Sequence, residues 1–516
     1  MKKYILLPLY IAAAGFLATS CSNFLDVQPK DKVLEEDQFS TEAGVQGALN
    51  GLYRQFIDNS LYGATLSQTT IEAMGHVYTY SPTQPTSANN IAGTLYYISN
   101  GQYSNSSVEG TFQSIWKNAY TTLLNINFFL KSMTTSTALI SEANKNTITG
   151  EAYGLRAYLH FDLFRIFGPR WEERSSTAKI LPYNNSTDVV LNHTGYEEDV
   201  YLTADNYMAN VLKDIESAEK LLTEDPIIND ASAISTTLNS DFYKNRNRRM
   251  NYFAVKGLKA RVLQYIGRDT EAAAAAKEVT DHVGETLKWT SVNDVTKYTD
   301  YSFFSEVVFG INSPNLASNY TSFYTKTSLD DIYAVDNDNL ISNIYNGFGD
   351  NIDAIVDIRA KQWTKSNDMG GSAYINYSQN GTFISNKFNM SSNTYLPALA
   401  DFQPLMRITE MYYIQAEAAL KAGDKATAAE ILNNISSKRG IPDTSSYYLT
   451  EGADESAFQE HIMLEYYKEF YGEGQVFFYH KRNKSTQMFP GYGGNAVSVN
   501  PTTQYTVPIP TTETDI

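Results

Sequence analysis

Apolar residues along this chain recur mostly every three or four positions, the period of one face of an α-helix. A helix is predicted after Ser40-Thr41, where Val45, Leu49, Leu52 and Phe56 form one stripe. The same period covers Phe112 to Met133 and Thr149 to Phe167, and Gly168-Pro169 ends the second run. Residues 151–167 are apolar almost all round, so this helix should lie inside the protein. Tyr201 to Leu222 is again helical, with Tyr207, Val211, Ile215, Ala218 and Leu222 on one stripe.

Downstream the pattern repeats itself. Val255, Leu258, Val262 and Ile266 make a face that stops at Gly267, and a second helix then carries Ala272, Ala276 and Val279. Tyr412, Ala416, Ala419, Gly423, Ala428, Leu432 and Ile435 have the same rhythm. Ala260 and Ala416 each lie seven residues before the turn glycine, and Ala272 and Ala428 five after it. Small residues at these places let two antiparallel helices approach closely, as tetratricopeptide pairs require. The expected fold is therefore all-α, with tetratricopeptide-like helix pairs stacked into a superhelix, long irregular loops and a few short strands.

Two stretches break the helical period. Residues 75–107 and 312–404 are rich in Asn, Ser, Gly and Tyr, and both are expected to be loops. Glu306 to Ile311, just before the second block, is strand-like. Ala457 to Arg482 reads as one aromatic-rich helix, and Tyr505 to Pro510 as an extended tail whose prolines cannot join a helix.

The N-terminus changes the picture of where such a body would work. Met1-Lys2-Lys3, an apolar run from Tyr4 to Leu17 and the small residues Ala18-Thr19-Ser20 precede Cys21, the only cysteine. This is the layout of a secretory signal, with the cysteine at the cleavage point as in a bacterial lipoprotein. Residues 1–20 are expected to be a signal peptide and Cys21 the lipidated start of a leader reaching to residue 40. More than one acyl chain, palmitate for example, gives stable anchoring. Loss of residues 1–20 removes Lys2 and Lys3 and no acid, which moves the formal charge from −17 to −19. Such an acidic surface argues against nucleic acid and anionic lipid as partners, so the membrane would be reached through the lipid alone. The length also exceeds what one core usually serves, so two regions, 41–235 and 236–516, are expected within one intertwined body.

Several segments together resemble the SusD/RagB family of Bacteroidetes outer-membrane lipoproteins. They are Cys21-Ser-Asn-Phe-Leu-Asp-Val-Gln-Pro29, Gly150-Glu-Ala-Tyr-Gly-Leu-Arg-Ala-Tyr158, the helix from Leu212 to Leu222, Arg407 to Leu420, Glu465 to Arg482 around Gly472-Glu-Gly474, and Pro508-Ile-Pro510. They fall in the family's order over nearly the whole mature chain. The resemblance implies an all-α body whose loops bind a ligand, on the cell surface, as the lid of a SusC-like TonB-dependent outer-membrane transporter. The ligand would be an oligosaccharide captured for uptake, or in some branches a peptide. The resemblance further implies no enzymatic activity and no cofactor. Tyr466-Tyr467 and Gln475-Val-Phe-Phe-Tyr479 depart from the family's commoner basic and tryptophan-containing runs, which bears on ligand subclass.

The residues themselves favour binding over catalysis. Six histidines share no metal-ligand spacing, and phosphate-loop, nucleophile-elbow and dinucleotide motifs are absent from the sequence. Arg407, Glu410 and Glu417 punctuate an apolar helix and are expected in an ion-pair network, with Glu417 and Lys421 four apart. Glu465, Glu469 and Glu473 recur every four residues, which suggests a charged helix face more than a hydrolytic acid pair. A sugar needs an aromatic plane for its C–H face and amides for its hydroxyls. The candidates are Tyr78, Tyr80, Tyr96, Tyr97 and Tyr103 with Asn89 in the first loop block, and Asn319, Tyr320 and Tyr324 in the second. An adaptor that holds another protein on its helix repeats is the rival of a different class.

Overall fold

A computed structural model describes residues 37–78, 91–187, 201–237, 239–324, 335–336, 338–345, 355–366, 382–389, 396, 399–488 and 496–511. The longer helices are α1 (Glu42–Phe56), α2 (Thr70–Met74), α3 (Ile91–Ser99), α4 (Ser106–Thr135), α5 (Glu142–Phe167) and α6 (Ala204–Leu221). They continue with α7 (Tyr252–Tyr265), α8 (Asp269–Thr280), α9 (Leu316–Tyr324), α10 (Ile408–Lys421), α11 (Lys425–Lys438), α12 (Glu455–Glu469) and α13 (Val476–Asn483). Short strands β1 (Lys179–Pro182) and β2 (Tyr201–Thr203) pair, as do β3 (Val307–Asn312) and β7 (Phe402–Arg407). A three-stranded sheet runs in the order β4 (Val335–Asp336), β6 (Thr382–Ser385), β5 (Trp363–Ser366). The protein is mostly helical, as the apolar period predicts.

The helix starts follow capping chemistry. Thr41 Oγ1 accepts the Gly44 N–H at 3.1 Å, and α1 buries the four stripe residues Val45, Leu49, Leu52 and Phe56. Helices α4 and α5 begin earlier than their apolar stripes, at Asn105 and Ser141, whose side chains accept the N–H of Ser107 and Asn144. Their first turns are polar, so only the caps mark them. From Glu151 onward helix α5 is enclosed as expected, and the charged residues of that stretch are buried with it. Each has a partner: Arg156 meets Asp214 at 2.6 Å, Glu151 accepts from Arg246 at 2.5 Å, and Arg165 pairs with Asp162. Unpaired, such charges would cost several kcal/mol or more each.

The internal repeat is real. Gly267 (φ 76°) turns α7 into α8 and Gly423 (φ 81°) turns α10 into α11, a conformation that a Cβ would strain. Ala260, Ala272, Ala416 and Ala428 are fully buried in the two crossings. Helix α5 packs on α6, α6 on α7, α7 on α8, α8 on α10 and α10 on α11, so the two copies stack although residues 281–407 separate them in sequence. The largest apolar cluster runs from Val45 to Val507 and draws on both halves of the chain.

Several expectations need correction. The loop blocks contain helices α3 and α9, too short and too rich in Ser, Thr, Asn and Tyr to show a period. Strand β7 also lies in the second block; its Pro404 reads as a loop, but a two-stranded sheet has only edge strands, which tolerate proline. The run from Ala457 to Arg482 is two helices, broken where Gly472 (φ 71°) and Gly474 (φ 69°) are left-handed. The run from Tyr201 begins as β2 before α6. Glu417 does not pair with Lys421: Arg482 holds it at 2.7 and 2.8 Å, and Lys421 reaches Asp269 at 2.9 Å. A bidentate guanidinium outcompetes a neighbouring ammonium.

Candidate ligand-binding site

The two loop blocks meet. His76, left-handed at φ 51°, turns the chain off α2 and sends Tyr78 inward, where it shares a 3.1 Å hydrogen bond with the Tyr324 hydroxyl at the end of α9. The Tyr78 hydroxyl also reaches the Gln68 carbonyl. Tyr324 stacks on Tyr320 with ring centres 5.6 Å apart and planes 16° apart. Tyr471 packs edge-on to Tyr78 at 5.5 Å and to Trp363 at 4.7 Å, and Phe388 lies 6.0 Å from Tyr324. Asn319, one turn before Phe323, donates to the Gly63 carbonyl at 2.9 Å and so ties α9 to the turn after α1.

A rigid polar frame lies under this aromatic cluster. Glu72 of α2 accepts the N–H groups of Gly472 and Gly474 at 2.8 and 2.7 Å. Burial raises its carboxyl to about 8 despite those bonds. Between the glycines, Glu473 turns the other way and binds Arg407 and Lys387. A Cβ on Gly472 would sit 2.3 Å from the Phe388 ring. Gly472-Glu-Gly474 is thus a double left-handed turn that seats Phe388 and Tyr324 over a charged knot. Arg359 and Arg439 extend the knot through Glu465, Glu469, Glu306 and Asp357. Burial alone would raise Glu465, but the Arg359 and Lys468 charges hold it well below the ordinary carboxylate range. Glu469 is lowered as well, against burial, by Arg439 and Arg359. Neither acid stays protonated to serve as a general acid, and Glu473 lies beyond the helix that carries the other two.

The candidate tyrosines divide by exposure. Tyr78 and Tyr324 are enclosed at 1% and 0% exposure, so they hold the loops to the body and do not offer a face to a ligand, a correction to their expected role. Asn319 is likewise spent on Gly63. Tyr97 is buried, and Tyr96 packs against it edge-on while remaining half-buried. Tyr103 donates to the Gln504 carbonyl at 2.6 Å, in the C-terminal segment. Tyr80 and Asn89 lie outside the described residues. Tyr320 is also largely buried, at 7% exposure; it hydrogen-bonds the half-buried Asn386 at 3.3 Å at the edge of the cluster, and Asn386 in turn reaches the exposed Thr364. Trp363, Asn386 and Tyr471 were not singled out by sequence, because a lone tryptophan or asparagine in a polar block carries no spacing signal. What the rim offers chemically is an aromatic edge beside amide and hydroxyl groups.

Two family models match the chain. One, described as starch-binding associating with outer membrane, matches residues 23–263; the other, described as SusD family, matches residues 357–514. No curated protein sequence matches. Among solved structures, a SusD superfamily protein from Bacteroides thetaiotaomicron is similar at 20% identity and a TM-score of 0.69, over 92% of this chain and 98% of that one. A SusD-like carbohydrate binding protein from Bacteroides vulgatus gives 17% and 0.66, over 92% and 96%. Surface glycan-binding protein A from Bacteroides thetaiotaomicron, in complex with laminarihexaose, gives 15% and 0.62, over 92% and 98%. The two family matches follow one another along most of the sequence and the shared fold runs through both, so the chain belongs to the SusD family.

Proposed function

We propose that this protein binds an oligosaccharide at the cell surface and hands it to a TonB-dependent outer-membrane transporter without breaking a bond. The observation that carries this reading is the meeting of the two loop blocks in one aromatic cluster, with Tyr320 and Asn386 at its rim. The family matches, and the relatives described as carbohydrate- or glycan-binding, support it. The acids of the helical frame are engaged in ion pairs, which fits binding in place of hydrolysis. Calorimetry with laminarihexaose and other neutral glucans checks the site. Tyr320→Ala should weaken any saturable binding by about tenfold, the worth of one aromatic contact of 1 to 2 kcal/mol, and should also lower the melting temperature because the ring is buried against Tyr324, so the titration is run well below the variant's transition. Undiminished binding in that variant would remove the rim from the site.

The signal-like start and Cys21 support anchoring to the outer membrane by lipid, facing outward. Cys21→Ala is expected to leave a folded, ligand-competent protein that no longer sediments with membranes. A variant that stays in the membrane fraction would argue against the tether.

A further inference from the structure

A concavity lies apart from the tyrosine cluster. It opens between α1, residues 239–249 and the end of β3, and its volume of about 540 Å³ falls within the range of small-molecule sites. Its walls carry Arg54, Lys244, Arg248 and Arg249 against a single acid, Asp241. In a chain of formal charge −17 that is a local reversal of sign. The carboxylates that balance two of these cations stand behind the wall and do not line it: Arg249 meets the fully buried Glu151 at 3.3 Å, and Lys244 pairs with Asp230. The cavity therefore sees these two cations and not their carboxylate partners.

These donors are held in place. The Arg249 guanidinium lies 3.7 Å from the centre of the Phe242 ring and donates to Asn50 Oδ1 at 2.7 Å. Arg248 stacks over Phe402 at 4.6 Å and donates to Asn312. Planar, pre-positioned guanidinium groups match a carboxylate at little entropic cost. Burial lowers Arg248 to about 10, with the Asp401 charge opposing it, so the guanidinium stays charged at neutral pH. Five Asn and Gln side chains in the lining suit hydroxyl groups, and the half-buried Phe242 suits a sugar's C–H face.

We propose that this groove is a second ligand site, for the carboxylate-bearing units of an acidic oligosaccharide. It rests on the saccharide-binding reading only for the class of ligand, and its residues are separate from those of the tyrosine cluster.

Titration of the full chain with trigalacturonate and with its methyl ester tests it, since esterification removes the charge at the cost of one added methyl per carboxyl. The acid should bind and the ester should bind about tenfold more weakly or not at all, with the acid's affinity falling as salt rises. Arg54→Glu combined with Lys244→Gln, both changes at the cavity wall, should weaken the acid by about tenfold and leave laminarihexaose unaffected. Tyr320→Ala should do the reverse. A melting curve and the laminarihexaose titration show whether the double variant is folded. Equal affinity for acid and ester, no binding of the acid, or acid binding unchanged in the folded double variant overturns the groove assignment. No neutral-glucan binding by the unsubstituted chain, alongside intact acid binding, would instead overturn the tyrosine-cluster reading alone.

Discussion

Gly472 shows how much one position can carry. It is left-handed, its N–H is held by Glu72, and the space a Cβ would take belongs to the Phe388 ring. Gly472→Ala should therefore destabilise the protein by on the order of 2 to 4 kcal/mol, from backbone strain and steric clash together. The loss should be visible as a lower denaturant midpoint, and rim binding should weaken with it because Phe388 supports Tyr324. An unchanged midpoint would mean that the turn can relax at no cost. Residue chemistry also explains why the site was only half legible. Tyrosine suits a sugar-facing surface and a hydroxyl-bonded core equally. Nothing in the sequence around Tyr78 or Tyr324 says that each hydroxyl finds the other inside the protein.

At the scale of elements, what repeats is readable and what occurs once is not. The pairs α7–α8 and α10–α11 announce themselves because the same spacing of Ala and Gly occurs twice. Helix α9 buries Leu316, Asn319, Tyr320 and Tyr324, a helical stripe in which three of the four members are polar or amphipathic at a glance. Strand β7 hides behind its proline, and the break after α12 hides because aromatic residues run on both sides of it. The close helix crossings can be tested directly. Ala416 is fully buried in the cluster formed by α10, α11 and α12, so Ala416→Leu should cost about 1 to 3 kcal/mol by overpacking, measured by urea unfolding. A neutral effect would show that the crossing has room to spare.

The whole molecule should be sensitive to acid. Burial holds His76 and His461 at about 4 and His160 and His480 at about 3, against an ordinary value near 6.5. The unfolded chain takes up protons that the folded one refuses. Stability present above pH 6.5 is therefore lost as pH falls towards 4, by about 1.4 kcal/mol per pH unit for each histidine. Glu72, raised to about 8, and Asp300, raised to about 6, act with the opposite sign. Their contribution is complete only below the ordinary carboxylate range and is lost as pH rises through those values. Four groups outweigh two between pH 6.5 and 4.5, so the urea midpoint should drop across that window, and His480→Asn should flatten the drop. A midpoint that holds level in the parent protein would contradict the burial of these rings.

The direct stacking of α8 on α10 across residues 281–407 has a further consequence for how the protein folds and diversifies. A repeat array normally zips from neighbour to neighbour along the chain, but here the junction must await closure of a long excursion, which raises contact order and slows assembly. Closure entropy grows only with the logarithm of loop length, about 0.6 kcal/mol for each doubling. The excursion carries α9, β5, β6 and most of the aromatic rim, so its length and contents can drift at little thermodynamic cost. Ligand preference can thus evolve in the inserted segment while the helical stack beneath it stays constant.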